Sequence, residues 1–264
     1  MSNLAKLQKV SQVNDMDRDE IFKTAEQCMS ASTVAEVWDV LLAFVQRTGF
    51  CHVLYGFTKF HTDYGFGDDS DHLLLTNFDK PYVDGYFVEG RYRNGPMVKW
   101  ALDNVGTRSW GWMAEEYENF TDAERETLNF NLSRGVTAGY TIGFQHSLKR
   151  AKGAIGMSLE PFKGTQEQAD AIWAVHGRDI EFVCGVAHLK IISLPLPKRL
   201  LTSRQREVLE WVADGKTVVD TAQIMGLNRA TVEKHLRLAR EALGVETTAQ
   251  AVLKASFHNQ IYVI

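Results

Sequence analysis

The chain has 264 residues, 45% of them hydrophobic, and a formal net charge of −4. This length and apolar content suit two modest packed domains and argue against an intrinsically disordered chain. The three cysteines are widely separated and form no C-x-x-C pair, which argues against a disulfide framework and a thiolate zinc site.

Charge and hydropathy also bear on location and partners. Residues 1–14 lack the apolar core of a signal peptide, and no later stretch of about 18 uninterrupted apolar residues could span a bilayer. We therefore expect a cytoplasmic protein with no membrane partner. Residues 195–264 hold ten Lys and Arg against seven Asp and Glu, whereas the preceding residues hold 19 against 26. Only the C-terminal part has the sign that attracts phosphates.

The first two thirds of the chain mix helical and strand-like segments. Two helices are predicted within 15–48, and the second of them ends at Gly49. Further helices are predicted at 82–92, 122–134 and 166–191. Strands are predicted at 51–60, 72–78, 139–145 and 153–159, where β-branched and aromatic residues are enriched. This order predicts an α/β fold, an α/β/α sandwich with a mainly antiparallel sheet that can enclose a ligand between sheet and helices.

Patterns for other chemistry are absent from the sequence. There is no G-x-S-x-G, no H-E-x-x-H and no phosphate-cradling glycine loop, so we expect no enzyme and no resident cofactor. Residues 61–72, HTDYGFGDDSDH, contain Asp and His, but no EF-hand register fits them, and a solvated loop is the simpler interpretation. We expect no metal site.

A linker follows the last helix of this region. Pro195 and Pro197 stop the helix, and charged residues follow them. We therefore place the domain boundary here, with residues 1–194 as the first domain and 195–264 as the second.

The sequence of the second domain predicts four helices, most of them with a clear N-cap residue. Thr202 can cap a helix over 204–212, Thr217 a short helix that ends at Gly226, and Asn228 a longer helix. A fourth helix is predicted over 248–257. The third helix has a buried stripe at helical spacing, made of Val232, Leu236, Ala239 and Leu243.

The outer side of the third helix carries the candidates for DNA contact. A short turn before an amphipathic helix with a cationic outer stripe matches a small all-α helix-turn-helix domain with its recognition helix in the major groove. A solvated helix face is the alternative interpretation. Phosphate and base contacts are predicted for Lys216, Asn228, Arg229, Ala230, Thr231, Glu233, Lys234 and Arg237.

This segment resembles the four-helix DNA-binding domain of LuxR-type regulators. Gln205 stands where that family usually has glutamate, and Ala242 where it usually has lysine, so one polar contact and one phosphate contact are expected to differ. The matching residues are the LTxR of Leu201, Thr202 and Arg204, then Val208 and Leu209, the GKT of residues 215–217, the TVxxHL of 231–236, the LGV of 243–245 and the closing AQAV.

The resemblance extends into the first domain, which in these regulators binds an acyl-homoserine lactone. Gly95 stands where the family has the aspartate that accepts a hydrogen bond from the ligand amide, an interaction of about 1.5 to 3 kcal/mol. Pro96 and Gly139 match family positions. The resemblance implies ligand binding by Phe78, Tyr82, Tyr86 and Trp110, and we add Tyr55 and Phe57, although aromatic core packing is the alternative for all six.

The sequence therefore predicts a LuxR-type DNA-binding transcriptional regulator. The resemblance implies a homodimer on a palindromic site that responds to a small signal molecule, either an acyl-homoserine lactone or a non-standard ligand. One alternative is a ligand-independent regulator, or an anti-activator that pairs with a related regulator. Another is an enzyme or sequestering protein that acts on a signal molecule, for which the sequence offers no catalytic group.

Overall fold

The computed structural model describes residues 18–62, 71–195 and 201–262. They form two compact units, one of residues up to 188 apart from 32–34, and one of residues 32–34 together with those from 189 onward. Residues 63–70 of the predicted loop and residues 196–200 of the predicted linker lie outside the described residues.

A five-stranded antiparallel sheet forms the centre of the first unit and confirms the predicted fold class. Its strands lie in the order β2–β1–β5–β4–β3, and every neighbouring pair is antiparallel. The strands are β1 His52–Thr58, β2 Leu73–Thr76, β3 Gly106–Ser109, β4 Gly139–Gly143 and β5 Lys152–Ser158.

One face of the sheet carries large apolar residues and packs against helices. Tyr55 of β1 pairs in register with Ile155 of β5, and both side chains are fully buried. The helices of this layer are α1 Arg18–Ser30, α2 Val34–Thr48 and the long α7 Gln166–Ser193. The Tyr55 hydroxyl lies 2.8 Å from Nδ1 of His188 on α7. The sandwich therefore derives much of its core from this face.

The opposite face is covered by shorter elements. They are α3 Lys80–Val83, a π turn Asp84–Val88, a 3-10 turn Arg91–Asn94, α4 Pro96–Asp103, α5 Trp112–Glu115, a 3-10 turn Tyr117–Asn119 and α6 Asp122–Ser133. Helix α4 packs against β4 and β5. A β-carbon on Gly143 would lie 2.5 Å from the carbonyl oxygen of Asn104, so glycine permits this close approach.

The helix predicted over 82–92 is wrong in extent. Asp79 caps α3 by accepting a hydrogen bond from the Tyr82 N–H at 2.9 Å, and the chain then widens into the π turn. Gly90 adopts a φ of 77° and ends this stretch. Helix α4 and strand β3 were not predicted, because a proline-started short helix and a four-residue polar strand carry little local pattern.

The second unit contains the four predicted helices. They are α8 Ser203–Ala213, α9 Val218–Met225, α10 Arg229–Leu243 and α11 Thr248–Phe257. Thr202, Thr217 and Thr247 each form a capping box. The core between the four helices includes Val208, Leu209, Val232, Leu236, Ala239, Leu243, Ala251 and Ala255.

The two departures from the LuxR pattern have local explanations. The Gln205 side chain accepts a hydrogen bond from the Thr202 N–H at 2.8 Å, so the polar contact expected to differ is made by an amide. Ala242 packs against the core of this unit. No helix within the described ranges is long and apolar enough to cross a membrane.

Candidate functional site

Small residues form the second face of the sheet and leave room above it. Gly56 of β1 pairs with Ala154 of β5, and Gly156 pairs with Thr141 of β4. A β-carbon on Gly56 would meet no heavy atom within 4 Å, and one on Gly156 would touch Trp110 at 3.7 Å. This face can therefore act as the floor of a ligand site.

A stack of aromatic rings forms a wall beside this floor. Phe78 and Tyr82 stack with ring centroids 4.3 Å apart, and Tyr82 and Tyr86 stack at 5.5 Å. Trp110 packs against the same cluster. The structure thus brings together four of the six residues predicted for ligand binding. An apolar floor beside an aromatic wall is typical of small-molecule sites.

Tyr55 and Phe57 lie on the other face of the sheet, away from this cluster. Successive side chains of a strand point to opposite faces, so Leu54 joins the aromatic cluster while Tyr55 packs towards α7. Phe57 lies 5.5 Å from His146 and 5.9 Å from His188, measured between ring centroids. The structure therefore separates these two residues from the other four and gives them the core-packing role.

Polar side chains within the cluster are largely paired with protein groups. The Tyr82 hydroxyl donates to Asn131 Oδ1 at 3.1 Å, and Trp110 Nε1 donates to Thr141 Oγ1 at 2.9 Å. Burial raises the pKa of Tyr82 well above its usual range, so the phenol stays protonated. No local pattern indicates Asn131 or Thr141, because each acquires its role only through a distant partner.

Gly95 lies next to the hydroxyl group of Tyr86. A β-carbon on Gly95 would be 2.5 Å from the Tyr86 Oη and 3.2 Å from the carbonyl oxygen of Tyr92. The phenol therefore fills the space that a side chain at this position would need. Burial raises the pKa of Tyr86 above its usual range, so this hydroxyl also keeps its proton.

The start of α10 carries most of the residues predicted to contact DNA. Asn228 Oδ1 accepts hydrogen bonds from the Thr231 N–H at 2.8 Å and from the Thr231 hydroxyl at 2.9 Å, which caps the helix. Arg229 and Ala230 follow and are exposed. Lys216 is exposed just before α9. Asn228 and Thr231 thus have a structural role in addition to any DNA contact.

Two ion pairs run along the outer side of α10. Arg229 Nε lies 2.9 Å from Glu233, and an Arg237 terminal nitrogen lies 2.6 Å from Glu241. Exposed pairs of this kind contribute little to stability, so both arginines can exchange a carboxylate for a phosphate. Lys234 is exposed between them. The stripe is cationic, but two of its charges are partly neutralised within the helix.

These features define a class of protein: a DNA-binding regulator with a separate sensory unit. Residues 33–191 match the protein family described as "Autoinducer binding domain". Residues 199–255 match the family described as "Bacterial regulatory proteins, luxR family". The chain belongs to the LuxR-type transcriptional regulators that carry an autoinducer binding domain. The predicted family and its DNA-binding regulatory function are thereby confirmed.

Several known proteins are similar to this chain. Transcriptional activator protein AnoR of Acinetobacter nosocomialis is 20% identical over 83% of this chain and 90% of the relative. BjaR1 of Bradyrhizobium diazoefficiens is 26% identical over 66% of this chain and 70% of the relative. Among solved structures, Escherichia coli SdiA covers 91% of this chain and 97% of its own, with 15% identity and a TM-score of 0.48.

Proposed function

We propose that residues 1–194 bind a small signal molecule between the small-residue face of the sheet and the aromatic wall. The observation that carries this proposal is the open space above Gly56 beside the stacked rings of Phe78, Tyr82 and Tyr86. An acyl chain fits such an apolar site, so the ligand is an acyl-homoserine lactone or a related amphiphile. Trp110 closes the same site.

We further propose that the regulator acts as a homodimer. Phe22 and Met29 of α1 are 60% and 64% exposed, and Phe182 of α7 is 45% exposed. The rings of Phe22 and Phe182 lie 6.4 Å apart, so the two helices present one continuous apolar patch. Contiguous apolar surface of this kind is typical of association sites. The patch supports pairing of two copies through the first domain.

The second domain, residues 195–264, is proposed to bind a palindromic DNA site in the cytoplasm. Two-fold symmetry places the two α10 helices in major grooves one helical turn apart. Lys216, Arg229, Lys234 and Arg237 contact phosphates, and Glu233 accepts from a cytosine amino group. Asn228, Ala230 and Thr231 lie at the helix start, where base edges and backbone are closest.

A two-part experiment tests these proposals on the full chain. The protein is purified from strains with and without supplied N-acyl-homoserine lactones, and native mass spectrometry and thermal melting report a bound ligand, which raises apparent stability. Selection from random double-stranded DNA then reports the preferred site. A ligand-dependent rise in Tm and a palindromic selected site support the proposal, whereas an unliganded protein of equal stability contradicts signal binding.

The alternative of an anti-activator depends on Gln205 and Ala242. Gln205 retains the capping contact, which weakens that alternative. A protein that selects no DNA yet pairs with a related regulator would favour it. We propose no enzymatic role, since the family is one of transcriptional regulators.

A further inference from the structure

Helix α4 begins at a buried position that has no cap. Its N-cap residue is Gly95, which has no side chain to accept a hydrogen bond, and Pro96 follows with no N–H. The N–H groups of Met97 and Val98 have no acceptor in the part of the chain that the structure describes. Both Gly95 and Pro96 are buried. A buried helix start of this kind normally has a side chain, a water or a ligand as its partner.

Tyr86 directs an unpaired hydroxyl to the same place. Its side chain is only 7% exposed, and its hydroxyl oxygen makes no hydrogen bond to a described residue while keeping a small accessible surface. The hydroxyl oxygen lies 2.5 Å from the position of a β-carbon on Gly95. A hydroxyl with this small accessible surface is open to a water molecule or a ligand atom, so a partner from outside the protein is expected.

The remaining polar groups of the aromatic cluster do not compete for this partner. The Tyr82 hydroxyl is bonded to Asn131, and the Trp110 indole N–H is bonded to Thr141. Near Gly95 the first N–H groups of α4 can only donate, and the Tyr86 hydroxyl has a proton to donate. The Tyr92 carbonyl oxygen beside them already accepts from the Gly95 N–H at 3.0 Å. The positive end of the helix dipole adds to their preference for electron-rich atoms.

We propose that this subsite binds an acceptor oxygen of the ligand, a carbonyl or carboxylate oxygen, rather than a ligand N–H. This inference depends on the proposed ligand-binding function and specifies the head-group chemistry of that site. A carboxylate at residue 95 would present an acceptor to the ligand. Gly95 offers no side-chain acceptor, whereas the Tyr86 hydroxyl and the first N–H groups of α4 have protons to donate, so the subsite favours an acceptor on the ligand.

Three probes with the same acyl chain test this polarity by calorimetric titration of the full-length protein. They are N-decanoyl-homoserine lactone, its ester analogue in which oxygen replaces the amide N–H, and decanoate. We expect the ester to bind at least as tightly as the amide. Tyr86→Phe should weaken the ester about five-fold and decanoate more than about ten-fold, because hydrogen bonds to a charged acceptor are stronger. Tyr117→Phe, outside the cluster, is the matched control.

A double variant tests the same idea in the opposite direction. Gly95→Asp combined with Tyr86→Phe introduces an acceptor and removes the hydroxyl that would collide with it. We expect this variant to prefer the amide over the ester by about ten-fold. Its melting curve, compared with that of Tyr86→Phe alone, reports whether it folds.

Three results would overturn the inference. They are a wild-type preference for the amide of about ten-fold or more, unchanged affinities in Tyr86→Phe, or no binding of any probe. Selection of DNA by the same preparation is measured separately. A protein that selects DNA and binds the lactone independently of Tyr86 contradicts the inference alone, whereas a protein that does neither contradicts the proposed function as well.

Discussion

The two faces of the sheet differ in side-chain size, although they are made by the same strands. On one face Tyr55, Ile155 and Met157 are fully buried against helices. On the other face, the small residues Gly56, Ala154 and Gly156 leave space above the strand backbone. Because adjacent residues alternate between faces, the same strands provide both a rigid core and a binding floor. Stability and ligand binding should therefore respond to different substitutions.

The largest expected effect is on the packed face. Ile155→Ala removes a fully buried side chain and leaves a cavity, which should lower the free energy of unfolding by about 2 to 5 kcal/mol. Urea denaturation measures this loss. Ala154→Ser, on the neighbouring position of the opposite face, is the control and should change the free energy by less than about 1 kcal/mol. Equal losses in both variants would contradict the proposed difference between the faces.

Filling the floor should affect binding before stability. Gly56→Leu places a side chain in open space, so it should abolish the rise in Tm caused by N-decanoyl-homoserine lactone or decanoate. The unliganded Tm should change little, because the side chain meets no neighbour at its β-carbon. Gly56→Ala leaves most of the space and should give an intermediate response. A full ligand response in Gly56→Leu would place the ligand elsewhere.

The packed face should also respond to acid. Burial, with a smaller contribution from the nearby His146, lowers the pKa of His188 to about 3. The unfolded chain takes up a proton near its ordinary pKa of about 6.5, while the folded chain does not. Stability is therefore present above pH 6.5 and declines below it, by about 1 kcal/mol between pH 7 and pH 5.5.

Urea denaturation at both pH values measures this decline. His188→Gln removes the larger of two contributions and should reduce the pH dependence, even though the Tyr55 hydroxyl loses its partner and overall stability falls. A smaller pH dependence remains, because burial also lowers the pKa of His146. Ligand affinity should show no comparable change, since His188 lies on the face away from the aromatic cluster. A pH dependence of stability that is undiminished by the substitution would assign it to another group.

The smallest expected effect is on DNA binding by α10. Like the strands, this helix has one side that packs in the core and another that is proposed to bind a partner. Lys234 is exposed, while Leu236, two residues later, belongs to the core. Lys234→Ala should leave the Tm nearly unchanged and weaken binding to all DNA sequences, with the slope of the salt dependence reduced by about 1. Titrations at several salt concentrations measure this. A loss confined to one sequence would instead make Lys234 a base-reading residue.

Local signals were sufficient to predict the second unit. Thr202, Thr217 and Asn228 start helices where the sequence indicates, because a cap acts within three residues of itself. Strand β3, Gly106–Ser109, was not predicted, because it is stabilised by pairing with β4, which is distant in the sequence. The alternation in β1 was visible, but which face holds the ligand site depends on the elements that cover each face. For that reason Tyr55 and Phe57 were grouped with residues on the other side.

The unpaired Tyr86 hydroxyl could not be predicted at all. Its environment depends on the start of α4, which the sequence pattern did not reveal, and on the absence of a side chain at Gly95. The resemblance to LuxR-type regulators identified Gly95 as a departure. It gave no indication that a neighbouring phenol occupies the vacant volume.

The ion pairs on α10 have a consequence for how a regulator finds its target. In the proposed DNA contacts, Arg229 and Arg237 each exchange a carboxylate of the same helix for a phosphate. Each exchange costs about 0.3 to 0.5 kcal/mol, so it slightly weakens binding to arbitrary sequences, where electrostatics supply nearly all of the attraction. On the proposed target, a cytosine amino group that donates a hydrogen bond to Glu233 recovers part of this binding free energy. The helix would therefore leave incorrect genomic positions quickly, which shortens the search among a very large number of competing sites.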